Sequence, residues 1–129
     1  MTSISMIDIT ESVKAKGENT TLLKFSAEGI QPLYAKEILA TYLLMEWPLT
    51  GSDQETLRCY AMLLPHGKIH ALEVFFLRQS DSMQGSLLGE YLGTTKTYSL
   101  IIPNNNYEGK MDEVISEMTW AKVCGYAKN

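Results

Sequence analysis

Two apolar runs of strand length, separated by a short turn, constrain this chain more than any other feature. The runs cover 57–64 and 69–77, and Pro65-His66-Gly67-Lys68 lies between them. The segment Val74-Phe75-Phe76-Leu77 consists of residues that favour β-strands. The pattern therefore predicts a β-hairpin with His66 in its turn and His70 on its second strand.

A helix competes with the first strand of this hairpin. Ser52-Asp53-Gln54-Glu55 has the form of a capping box, and Leu57, Tyr60, Ala61 and Leu64 fit a helical period. We prefer the hairpin, because the second run is strand-like and the turn between the runs is short.

The N-terminal part predicts a second hairpin, over 6–27. Apolar and polar residues alternate from Ile7 to Lys16, which is typical of a half-buried strand and is interrupted only by Glu11. Gly17-Glu18-Asn19 then forms the loop, and the second strand covers 20–27.

The residues 33–47 predict a helix. Ile38, Tyr42 and Met45 form one stripe at helical spacing, and Pro32 stands at a suitable first helical position. Pro48 is expected to end the element, because the residue before a proline resists the α conformation.

A connector rich in Ser, Thr and Gly is predicted over 79–97, with Gly85, Gly89 and Gly93 spaced by four. We expect it to be mobile and to hold one helical turn. A short strand, 98–102, follows and is stopped by Pro103.

The clearest helical pattern is the last one. Asp112 and Glu113 suit a first turn, and Gly125 can close the helix. Its apolar stripe consists of Met111, Val114, Ile115, Met118 and Ala121.

The element order therefore predicts one domain, 1–129, of the α+β class: an antiparallel sheet of about five strands with two helices packed on one face. A chain of 129 residues is long enough to bury a core without disulfides or metals.

The net charge and the length of the apolar runs limit the classes of binding partner that this chain is expected to have. Fifteen acidic residues against eleven basic ones give a formal net charge of −4, and no run of Lys or Arg occurs. This balance disfavours nucleic acid and suits a basic protein. We expect a cytoplasmic protein with no membrane contact, because the N-terminus lacks a signal-peptide pattern and the apolar runs are far shorter than the roughly 20 residues of a membrane span.

No motif predicts a catalytic centre, a metal site or a cofactor. Cys59 and Cys124 are far apart and form no ligand spacing with the two histidines, so both are predicted to be free, buried thiols. Gly93-Thr94-Thr95-Lys96 lacks the residue order of a phosphate-binding loop.

The resulting hypothesis is a protein-binding domain and not an enzyme. Its most concrete form is a bacterial immunity protein that neutralises a toxin, often a basic nuclease, by covering the toxin's active site. Asp81 and Glu90 are the next acidic candidates after the densest acidic cluster, which surrounds the last helix. The predicted partner-binding residues are Tyr107, Glu108, Asp112, Glu113 and Glu117.

Two alternatives stay open. One is a small-ligand-binding protein or enzyme with a pocket between the sheet and the helix at 33–47, where the candidate polar residues are Tyr42, Cys59, Tyr60 and His70. The other is a secretion chaperone or an anti-defence factor, whose size and charge would be similar.

Overall fold

The computed structural model describes residues 7–24, 32–49, 55–67, 69–83 and 85–101. Seven strands occur in this part of the chain, together with one α-helix and two short 3-10 helices, at Ala35–Glu37 and Asp81–Met83. The longer elements are β1 (Ile7–Asp8), α1 (Thr10–Lys14), β2 (Thr21–Lys24), β3 (Pro32–Tyr34), β4 (Ala40–Pro48), β5 (Glu55–His66), β6 (Ile69–Ser80) and β7 (Glu90–Leu100).

The main sheet has five antiparallel strands in the order β1-β4-β5-β6-β7. β2 and β3 form a separate antiparallel pair. The predicted antiparallel sheet of about five strands is therefore confirmed. The two predicted helices are not, because α1 is the one α-helix in the described residues and the predicted helix at 111–121 lies outside them.

The β5–β6 hairpin is the element that the sequence predicts best. Twelve residues of each strand pair without a register shift, from Glu55–Ser80 to His66–Ile69. Gly67 turns the chain with a φ of 63°, a conformation that glycine adopts without steric cost. The competing helix at 55–64 is wrong.

The N-terminal prediction is wrong in its pairing and in part of its secondary structure. Residues 10–14 are helical, and the Val13 N–H donates to the Ile9 carbonyl at 3.1 Å. Ile9 and Val13 are both buried, and their spacing of four fits a helix face as well as a strand alternation. β2 pairs with β3, so the predicted hairpin over 6–27 does not form.

The predicted helix at 33–47 is also wrong, because this segment holds β3, a 3-10 helix and β4. β4 lies inside the sheet, between β1 and β5, and its residues 40–45 are all buried. A strand buried on both faces is continuously apolar and loses its period of two, so it resembles a buried helix in sequence. Pro48 ends the element as expected, but the element is a strand.

The connector predicted at 79–97 is shorter than expected. Its helical turn is the 3-10 helix at Asp81–Met83, but the strand expected from Tyr98 begins at Glu90. Two register shifts against β6 interrupt the pairing of β7. Bulges and glycine weaken the alternation that marks a strand, which explains the wrong boundary.

The sheet buries side chains on both faces. On the first face, α1 and the β2–β3 pair cover the sheet, and Tyr60 of β5 stacks on Phe75 of β6 with ring centroids 5.7 Å apart. On the second face, side chains of β4 to β7 form another buried cluster that includes Leu44, Cys59 and Leu72. No helix in the described residues is long and apolar enough to span a membrane.

Gly89 marks a close approach between the segment 85–89 and the end of β6. A Cβ atom on Gly89 would lie 2.7 Å from both the Arg78 carbonyl oxygen and the Gln79 Cγ, and its φ is +154°. Gly93 also has a positive φ, +127°, but a Cβ atom there would meet nothing within 4 Å. At both positions a residue other than glycine would be strained, but the two positions differ in the space available for a side chain.

Gly89→Ala is expected to lower the free energy of unfolding by at least about 1 kcal/mol more than Gly93→Ala, because it adds steric overlap to the strain that both variants share. Urea unfolding of the two variants measures the difference. Equal losses would show that the segment can move away from β6 at little cost.

Candidate functional site

The predicted partner-binding residues lie outside the described residues. They are Tyr107, Glu108, Asp112, Glu113 and Glu117. Their role stays a prediction, and so does that of Cys124.

Charged side chains gather at one end of the main sheet within the described residues. Because the strands are antiparallel, the end of β4, the start of β5, the end of β6 and the start of β7 all meet there. We call this region the acidic end; it consists of Glu46, Glu55, Asp81 and Glu90 around Arg58 and Arg78.

Arg58 is the buried centre of this group, with a side chain only 4% exposed. Its Nε donates to Glu46 Oε1 at 2.8 Å, and its Nη1 donates to Gln79 Oε1 at 3.1 Å and to the Ser80 carbonyl at 3.3 Å. Asp81 lies farther away, at 4.0 Å from Nη2, and is 62% exposed. A buried guanidinium requires such partners, since an unpaired charge in the interior is very costly.

Arg78 occupies the neighbouring strand and points to the opposite face. Its Nε lies 3.3 Å from Glu90 Oε2 and 3.8 Å from Glu55 Oε1. All three side chains are at least about one third exposed, so solvent screens these ion pairs and each contributes little to stability.

Gln79 connects Arg58 to the segment that leads into β7. Its Oε1 accepts hydrogen bonds from Arg58 and from the Tyr60 hydroxyl. Its Nε2 donates to the carbonyl of Ser86 at 3.1 Å and to that of Leu88 at 2.7 Å. The amide oxygen of Gln79 is thus bonded to β5, and its amide nitrogen to the segment before β7. This buried amide therefore fixes the position of that segment against β6.

The same network perturbs Tyr60. Burial raises the pKa of its hydroxyl to about 12, while the Arg58 guanidinium acts in the opposite direction and Glu46 adds to the increase. Tyr60 therefore stays neutral at physiological pH and serves as a hydrogen-bond donor inside the network.

The acidic end carries more negative than positive charge. Four carboxylates accompany two guanidiniums, which gives this end of the sheet a formal charge of −2, divided between its two faces. Leu88 and Leu92, both substantially exposed, lie in the segments before and after Glu90. An acidic surface with apolar residues beside it is suited to a basic protein surface.

The residues of the alternative ligand pocket do not share one face of the sheet; His70 lies on β6, opposite Pro65 of β5. Tyr42 and Cys59 belong to the buried cluster on the second face, whereas Tyr60 belongs to the cluster on the first. The pocket is also predicted to lie between the sheet and a helix at 33–47, but residues 40–48 form a strand. Cys59 is a free thiol whose pKa is raised by burial, so it is unreactive at neutral pH.

A surface cleft of about 310 Å³ lies elsewhere, beside α1. It is lined by Lys14, Glu18, Ala35 and Lys36. Ligand pockets are mostly apolar with a few polar groups, whereas three of the four described residues that line this cleft are charged. In the described part of the chain, no three His, Cys, Asp or Glu side chains are grouped so that they could hold a metal ion.

Comparisons with protein-family models, curated proteins and solved structures found no match to this chain. Any functional conclusion therefore depends on the geometry of the chain itself.

The sequence contained one signal that could have located the buried centre. Arg58 stands between Leu57 and Cys59 inside an apolar run, and a charged residue in such a position requires a partner when the run is buried. The sequence does not identify the partners of Arg58, because its pattern predicts a helix at 33–47. It therefore gives no indication that β4, which carries Glu46, pairs with β5.

Arg58→Met is expected to lower the free energy of unfolding by about 3 kcal/mol, the low end of the range for breaking a buried pair, because Glu46 stays 40% exposed. Arg78→Met is the matched control and should cost less than about 1 kcal/mol. Urea unfolding of both variants measures the two losses. Similar losses would mean that Arg58 is solvated in solution.

Glu73 is a further residue, besides Cys59 and Tyr60, whose pKa is raised by burial. It lies on β6 opposite Met62 of β5, is half-buried, and burial raises its pKa. The folded chain therefore holds this proton more tightly than the unfolded chain does. By linkage, the contribution of Glu73 to stability falls as the pH rises through its folded pKa and is regained as the pH falls.

Glu73→Gln is accordingly expected to be more stable than the wild type at pH 7, and its advantage should shrink as the pH is lowered toward 4.5, the ordinary value for glutamate. Urea unfolding at a series of pH values tests this. Glu11→Gln, at an exposed position on α1, controls for the loss of one negative charge. An advantage for Glu73→Gln that stays constant with pH would contradict the burial of the carboxyl.

Proposed function

We propose that this chain is a protein-binding domain that acts as an immunity protein: it binds a basic toxin domain, often a nuclease, and covers the toxin's active site. The observation that carries this proposal is the acidic end, where Asp81 and Glu90 are mostly exposed. The buried Arg58–Gln79 network links β5, β6 and the segment that leads into β7 at this end of the sheet. Rigid presentation favours binding, because little side-chain and backbone freedom is lost on association.

Charge complementarity supports the basic character of the partner. The whole chain has a formal charge of −4, and attraction between opposite charges raises the rate of encounter with a basic protein. The second candidate surface, the predicted helix surface, consists of Asp112, Glu113 and Glu117 of the predicted last helix with Tyr107 and Glu108 of the turn predicted before it. It would supply further acidic residues and an aromatic anchor. The proposal therefore has two candidate surfaces, and variants can separate them.

Inhibition of an isolated partner is the decisive test of the function. The tagged chain is used to isolate its partner from the native cell, and the purified partner is assayed for nuclease or other toxic activity with and without an equimolar amount of the chain. We expect that activity to be lost at a ratio of one to one. A partner that stays fully active in the complex would exclude the immunity function and favour a chaperone or an adaptor role.

The predicted helix surface, around Glu113 and Glu117, is tested by the double variant Glu113→Lys, Glu117→Lys. We expect slower association with the partner and a weaker dependence of the rate on salt, because exposed charges mainly steer encounter. Where a carboxylate forms a buried pair in the complex, truncation would cost roughly 2–5 kcal/mol of binding energy.

Its matched control is Glu11→Lys, Glu18→Lys, which makes the same change of charge at exposed positions on and just after α1. Circular dichroism shows whether both variants fold. If the two double variants bind at the same rate and affinity as the wild type, the helix surface is not the binding site.

The acidic end is tested separately by Asp81→Asn, Glu90→Gln. These substitutions retain the size of both side chains and remove two charges that are each more than half exposed. The amide oxygen of Asn can still accept the hydrogen bond that the Thr56 hydroxyl donates to Asp81 Oδ1 at 2.9 Å, so the fold should be little affected. We expect slower association if the acidic end contacts the partner. Unchanged kinetics here, together with slow association of the helix variant, would assign the interface to the helix surface alone.

A further inference from the structure

We draw no further inference here: the strongest candidate, the acidic end of the main sheet around Arg58 and Arg78, belongs to the candidate site already described, and no second observation there points to a ligand other than the proposed basic partner.

Discussion

Burial of both faces of the β5–β6 hairpin is the constraint on which the rest of this structure depends. Side chains on β5 alternate between two clusters: Tyr60 and Met62 belong to the first face, and Cys59 and Ala61 to the second. All four are fully shielded from solvent. Since apolar burial is the main favourable term in folding, the hairpin has to be central, and the strand beside it, β4, is continuously buried over 40–45.

That constraint also explains why the buried polar network exists. The first face is apolar over its middle, but Arg58 and Gln79 occupy inward-facing positions near its end and are as well buried as the apolar residues. Such groups need partners of fixed geometry: removing one partner alone is costly, but replacing a whole buried pair by apolar residues of similar size is often neutral or even stabilising. Their role here is therefore best understood as one of position: Gln79 binds the carbonyls of Ser86 and Leu88 and so determines where the chain enters β7.

How far the sequence could predict this fold depended on how each element is buried. The β5–β6 hairpin was predictable because its turn is short and its second run is rich in strand-forming residues. β4 was not, because its residues 40–45 are all buried and, apart from Thr41, apolar, so the alternation of a half-buried strand is lost. Ile9 and Val13 show the opposite problem, since two apolar residues four apart satisfy both periods and the sequence offers no means of choosing.

The candidate site was predictable only in part, for a related reason. Asp81 and Glu90 could be identified as acidic candidates from the sequence, but their proximity to Glu46 and Glu55 requires the strand order, which no local pattern specifies. The four carboxylates also differ in what holds them. Glu46 is tied to the buried Arg58 and is needed for the fold, whereas Asp81 lies 4.0 Å from that guanidinium and is mostly exposed. Asp81 Oδ1 also accepts a hydrogen bond from the buried Thr56 hydroxyl at 2.9 Å, so the fold uses one oxygen of this carboxylate and little of its charge. The ion pair of Glu90 with Arg78 is exposed and contributes little to stability.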